Sequence, residues 1–112
     1  MKDERKLAMA NCSLFAQSST LVFLTANKAV VTLTGVQVNP NSCTWDSAAT
    51  SVSAVPACAV PGTAITLGTN VTIDIDISGC ASGTQIYVII VLRCVCGSND
   101  NFTTISLTGT KP

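Results

Sequence analysis

The chain contains no histidine, and only 11% of its 112 residues are charged and 4% aromatic. Without histidine, a serine or cysteine nucleophile lacks its ordinary base, and a metal site lacks its commonest nitrogen ligand. No glycine-rich loop leads from a strand into a helix, so a phosphate cradle is also missing. No catalytic residue, cofactor or metal site is therefore predicted. Five of the twelve charges crowd into residues 2–6, which leaves the body of the chain nearly neutral. A body with no basic patch and no interleaved aromatics lacks the footprint that a phosphate backbone requires, so nucleic acid is excluded as a partner. No apolar run is long enough to cross a bilayer as a helix, and no membrane span is predicted.

What is present is small and β-forming. Hydrophobic residues make up 47% of the chain, mostly Val, Ile, Ala and Leu. The low charge gives little protection against self-association, which suits a protein that assembles. One domain accounts for the length. Six cysteines, an even number in a short chain without histidine, point to an oxidised disulfide framework and an extracellular or cell-surface location. Residues 1–6 followed by Leu7 to Phe15 make a poor export signal, because Asn11, Cys12 and Ser13 interrupt the apolar stretch and acidic residues precede it.

The longest apolar run, Gln85 to Cys96, reads as a strand with two apolar faces: Ile86, Val88, Ile90 and Leu92 on one, Tyr87, Ile89, Val91 and Val95 on the other. Val71 to Ser78 alternates Val71, Ile73, Ile75 and Ile77 with Thr72, Asp74, Asp76 and Ser78, the pattern of a half-buried antiparallel strand. Further strands are predicted at Thr20–Thr25, Lys28–Val38, Thr63–Leu67 and Asn101–Thr108. In Lys28–Val38 the apolar phase slips after Leu33, and a β-bulge at Gly35 would return Val36 and Val38 to the face of Val31 and Leu33. Cys43 to Gly62, rich in Ser, Ala, Thr and Pro, reads as a looped excursion with one or two short strands. About seven strands without long helices between them predict an all-β fold, a single antiparallel sandwich of immunoglobulin-like or jelly-roll-like kind. Residues 1–19 form an N-terminal arm and residues 20–112 the sandwich.

Pairing Val71–Ser78 with Gln85–Cys96 as a hairpin would place Ile77 opposite Ile86 and Val71 opposite Leu92. At roughly 3.3 Å per residue this puts Cys94 and Cys96 about 40 Å from Cys80, too far to bridge. A bridge from Cys43 to Cys58 would close the excursion and add roughly 3 kcal/mol. Cys12 and Cys80 then find partners elsewhere in the fold, stay reduced or bond to another subunit, and Cys12 is the natural candidate for the last. In the same register Tyr87, Ile89, Val91 and Val95 lie beside Thr72, Asp74 and Asp76 on the outer face. Either the arm or the excursion covers this patch, or another molecule does. Asp74 and Asp76 share one strand face, the spacing for calcium or an acid–base pair, but too few further oxygens are available and a solvated face is the stronger reading. Asn11, Asn70 and Asn101 each begin an N-glycosylation triplet.

The alternating Asn70-Val-Thr-Ile-Asp-Ile-Asp-Ile77, the arm before Thr20 with its Cys12, and the closing Phe102-Thr-Thr-Ile-Ser-Leu-Thr-Gly109 together resemble small all-β subunits of extracellular filaments. These include archaeal pili assembled by donor-strand complementation and the disulfide-linked appendages of bacterial spores. The chain departs from the appendages in having no paired cysteines at its start, and from type IV pilins in having no long apolar helix. The resemblance implies a homopolymer in which residues from about 7 to 25, with Leu14, Phe15, Leu21 and Phe23, are lent to a neighbour's sheet beside Tyr87, Ile89, Val91 and Val95. It also implies disulfides that harden the polymer. The alternative is a monomeric secreted adhesin or glycan-binding module that meets surface glycans through the loop around Trp45.

Overall fold

The computed structural model describes residues 12–112. Among the described residues ten strands follow one another without a helix: β1 (Ser13–Phe15), β2 (Ser18–Thr25), β3 (Lys28–Thr34), β4 (Gln37–Asn39), β5 (Thr44–Val55), β6 (Val60–Pro61), β7 (Ile65–Leu67), β8 (Asn70–Asp76), β9 (Gln85–Cys96) and β10 (Asn99–Thr110). They form an all-β, sandwich-like fold. One sheet has the order β2-β3-β8-β6, with β7 also paired to β8, and the other the order β10-β9-β5. All of the pairings are antiparallel.

Two alternating faces close on each other to make the core. Val71, Ile73, Ile75 and Ile77 from the first sheet, and Ile86, Val88, Ile90 and Leu92 from the second, are all fully buried. Ala29, Val31 and Leu33 of β3 complete the first layer. A β-branched side chain fits a pleated surface and loses little freedom there, so these strands bury an apolar face at small entropic cost. The sequence-based assignment of these residues to the core is thus correct, but the hairpin it rested on is not. β8 pairs with β3 and β9 pairs with β5 and β10. The chain between Ile77 and Gln85 crosses from one sheet to the other, so the two apolar faces meet across the sandwich instead of side by side.

The excursion from Cys43 to Gly62 also differs from expectation. Its first half is a twelve-residue strand, β5, which pairs along β9 with a break between Asp46 and Ser51. Its inward residues Trp45, Val52 and Ala54 pack against the core, but they are few and mostly small, which is why the segment reads as loop. At roughly 3.3 Å per residue this strand holds Cys43 and Cys58 about 40 Å apart, so the expected bridge between them does not form. The bonds are Cys12–Cys94, Cys43–Cys96 and Cys58–Cys80, with Cα separations of 6.1, 4.7 and 5.1 Å. Cys12 is therefore bonded within its own chain, not to another subunit. The exclusion of a Cys80 bond to Cys94 or Cys96 agrees with the structure.

Gly35 is a corner. Its φ of +64° is open to glycine at no steric cost, and there the chain leaves β3 and starts β4, which among the described residues pairs with β1 as a separate two-stranded ribbon. A bulge was expected at this position. Instead the strand turns away from its sheet, and Val36 is buried on the new course. The Gln17 side chain fills the space beside Gly35, 2.8 Å from where a Cβ would stand. The expected arm before residue 20 is thus partly folded, since Leu14 and the strands Ser13–Phe15 and Ser18–Thr25 belong to the chain's own fold; residues 1–11 lie outside the described residues.

The ribbon's position follows from strand lengths. β9 and β10 have twelve residues each and β8 has seven, so at about 3.3 Å per residue the second sheet outruns the first by roughly 16 Å. Over that overhang the ribbon takes the place of the first sheet. Leu14 N donates to Thr103 Oγ1 at 3.3 Å and Asn101 Nδ2 donates to the Cys12 carbonyl at 2.8 Å. At the far end, buried Lys111 donates from Nζ to the carbonyls of Ile77 and Cys80 at 3.0 and 2.6 Å, closing the crossover between the sheets.

Gly35→Ala is expected to lower unfolding free energy in urea by about 1–2 kcal/mol, because alanine must occupy the left-handed region. Adding Gln17→Ala should relieve only the steric part, leaving most of the loss in place.

Candidate functional site

The outer face of the three-stranded sheet is built row by row from the β5–β9–β10 registers. Tyr87 lies between Val55 and Thr108, Ile89 between Ser53 and Ser106, and Val91 between Ser51 and Thr104. An apolar column thus runs between two columns made mostly of hydroxyls. Tyr87 is 46% exposed and Ile89 39%; Val91 and Val95 are half-buried. A shallow groove of about 330 Å³ follows the column, lined by Val55, Tyr87, Ile89, Ser106, Leu107 and Thr108. The excursion does not fold over this patch, because β5 lies beside it in the same sheet.

The next row closes the apolar column with charge. Arg93 Nη1 bonds Asp46 Oδ2 at 2.7 Å, and its Nε and Nη2 both reach Asp100 Oδ2 at 3.0 Å. These hydrogen bonds, with Asp100 first and Asp46 second, raise the guanidinium pKa further above its ordinary value. The triad ties all three strands together at the point where β5 is interrupted, with carboxylates on both flanks of the cation. Two donors near this interruption, Trp45 Nε1 and Thr50 Oγ1, are buried with no hydrogen-bond partner among the described residues.

Both outer strands of this sheet have a free edge. Among the described residues β10 pairs only with β9, and β5 does likewise. The inner residues of β10, Ile105 and Leu107, are only half-buried, as are Leu21 and Phe23 on the neighbouring edge strand β2. Phe23 lies against Gly109, where an added Cβ would come within 2.7 Å of its ring. The seam between β2 and β10 is the less completely closed side of the sandwich.

The residues expected at an interface therefore separate. Tyr87, Ile89, Val91 and Val95 lie together on the outer face, and Phe15 is exposed on the ribbon. Leu14 is in the core at 4% exposure, while Leu21 and Phe23 point into the sandwich. Trp45, the expected contact of an adhesin loop, is half-buried and packs against the core. Sequence reasoning missed the edge of β10, exposed Phe102, and Lys111. Gly109 within a strand was a readable sign of close approach; Lys111 gave none.

Asp74 and Asp76 share a face as expected, but each is engaged locally. Asp74 pairs with Lys28 at 3.2 Å, and Asp76 Oδ1 accepts from the Ser78 hydroxyl at 2.7 Å and the Ser78 N–H at 2.9 Å. The Ser78 hydroxyl, then its N–H, lowers the Asp76 pKa below the ordinary carboxylate value. Among the described residues no group of three or more Cys, Asp or Glu side chains is placed to hold a metal ion. Of the glycosylation triplets, Asn70 sits at an exposed turn with Oδ1 accepting from Gly35 N at 3.3 Å. Asn101 has its amide nitrogen committed to the Cys12 carbonyl, and Asn11 lies outside the described residues.

Comparison with protein-family models, curated proteins and solved structures returned no match to this chain. The class that the geometry defines is a disulfide-stapled all-β domain with an apolar sheet face that the described residues leave exposed. Its three intramolecular disulfides indicate an oxidising environment. No helix among the described residues is long and apolar enough to cross a membrane.

Because the folded Asp76 carboxyl has the lower pKa, its hydrogen bonds contribute stability above the unfolded carboxylate pKa. That contribution is lost as pH falls through the folded value. Asp76→Asn is expected to flatten the acid limb of a stability-versus-pH curve below about pH 4 and to leave stability at higher pH without that contribution.

Proposed function

We propose that the chain is a structural subunit of an extracellular filament or pilus that assembles with copies of itself. The observation that carries this reading is the Tyr87–Ile89–Val91 column, which the described chain leaves uncovered on an uncharged stretch of sheet. A contiguous apolar strip between hydroxyl columns can pack against another sheet without burying an unpaired charge. The free edges of β10 and β5 add backbone donors and acceptors that a further strand can satisfy.

The lent strand is not drawn from residues 12–25, which are engaged in the chain's own fold. The disulfides harden each subunit internally, and on the chain-entropy estimate the Cys12–Cys94 bridge alone contributes about 4.5 kcal/mol. Glycosylation at Asn70 fits this reading, since its exposed turn leaves Nδ2 free of any intramolecular bond among the described residues. Asn101 would lose its bond to Cys12 if modified.

The full chain, purified under oxidising conditions, is expected to form filaments visible by electron microscopy and to sediment as concentration-dependent oligomers. Ile89→Lys together with Tyr87→Ser should hold it monomeric, while changing unfolding free energy by no more than about 0.5 kcal/mol per exposed site. A wild-type chain that remains a monomer at every concentration would sink the filament reading.

A further inference from the structure

We propose that the β1–β4 ribbon is a disulfide-latched flap, released from the overhang of β9 and β10 by thiols while the sandwich beneath stays folded. The ribbon pairs with neither main sheet, and its ladder is three residues on each side, too short to be stable alone in water. Its noncovalent hold on the overhang is also slight. Leu14 is its one fully buried apolar side chain, with Val38 half-buried beside it, and Leu14 N and Asn101 Nδ2 supply the two cross-bonds.

Covalent attachment makes up the difference. Cys12 precedes β1 and Cys43 follows β4, and both bonds land on one strand at Cys94 and Cys96; the Cys43 end is also held by the peptide chain, which enters β5 at Thr44 opposite Val95. At the opposite end the ribbon turns out of the first sheet at Gln17 and Gly35. There Gln17 N donates to Thr34 O at 2.8 Å and Val36 N to Thr69 O at 2.8 Å, so the corner stays anchored to the sandwich. A segment anchored at a glycine corner, continuous with β5 at one far end and disulfide-bonded to β9 on both strands, has the geometry of a flap held closed by a latch. Cys58–Cys80 belongs to the other end of the molecule, where it joins the start of β6 to the crossover, and takes no part.

The chemistry is two-electron thiol–disulfide exchange. A thiolate attacks one sulfur of Cys43–Cys96, where Cys96 is the more exposed, forming a mixed disulfide and releasing the other cysteine as a thiolate. A second thiol resolves the mixed disulfide, so two thiols become one external disulfide and the protein gains two thiols. The same exchange at Cys12–Cys94 removes the second latch, leaving the ribbon held by the peptide chain at Gln17, Gly35 and Thr44. An oxidant of the disulfide class reverses both steps and closes the flap.

Hydrogen exchange read by mass spectrometry tests this on the full chain, with and without dithiothreitol, beside a variant with Cys12, Cys43, Cys94 and Cys96 all changed to Ala. That variant keeps Cys58–Cys80, so the two preparations separate the latch from the third bridge. In both, amides of Ser13–Phe15 and Gln37–Asn39 should exchange faster by about two orders of magnitude, while those of Ala29–Leu33 and Ile86–Ile90 keep their protection. Persistent protection of the ribbon after reduction would overturn the proposal. So would parallel loss of protection in the core, which would mean that the bridges hold the whole fold. If the variant does not fold, dithiothreitol titration of the oxidised chain still distinguishes the outcomes.

Discussion

Five side chains of β9, Ile86, Val88, Ile90, Leu92 and Cys94, are wholly withdrawn from water, and the other strands are arranged to keep them so. At about 1.5–3 kcal/mol for each large aliphatic side chain, their burial is the largest coherent stabilising contribution that one element makes. It requires a partner layer along the full length of β9. β3 and β8 supply that layer for the first two thirds, and the ribbon supplies the rest. The disulfides sit where the supply runs short: two hold the ribbon over the overhang, and one binds the crossover to β6. A small domain with little aromatic mass closes its core by covalent bonds where side-chain area is insufficient.

The strands with strict alternation were legible from residue types alone. Val71 to Ile77 and Ile86 to Leu92 declare their inward faces, and those faces are correct, because a period of two is a local property of the backbone. Which strand lies beside which is not local. A residue facing a partner across a sandwich about 10 Å thick and a residue beside it in a hairpin leave the same alternating signature. The six-residue connection after Ser78 permits either course, so the hairpin reading was consistent with everything in that stretch. The Cys43–Cys58 pairing failed for a separate reason, the reading of the excursion as a loop, while the distance argument that separates Cys80 from Cys94 and Cys96 holds in either topology.

The missed strand has a different cause. β5 earns its place through backbone pairing with β9, and its inward side chains are small apart from Trp45. Its contribution lies in the ladder more than in apolar area, and a ladder has no residue-type signature. Gly35 shows the reverse case. The slip of apolar phase between Leu33 and Val36 was visible, as was the need for a glycine, but a bulge and a sheet-leaving corner make the same demand on that position. The face containing Tyr87 and Ile89 was legible as apolar; that the Cys43 to Gly62 segment does not cover it depended on where β5 runs.

The Cys12–Cys94 bond also determines how the molecule would carry tension. A pull arriving at Cys12 passes straight into the buried end of β9, so the chain between them, about 280 Å when fully drawn out, is taken out of the line of force. For a pull applied between Cys12 and Pro112, the stretch from Cys94 to Pro112 lies in the line of force, about 60 Å of extensible length. The first sheet and its hairpins are then passengers under load, and the element that bears the strain is the long antiparallel pair of β9 and β10.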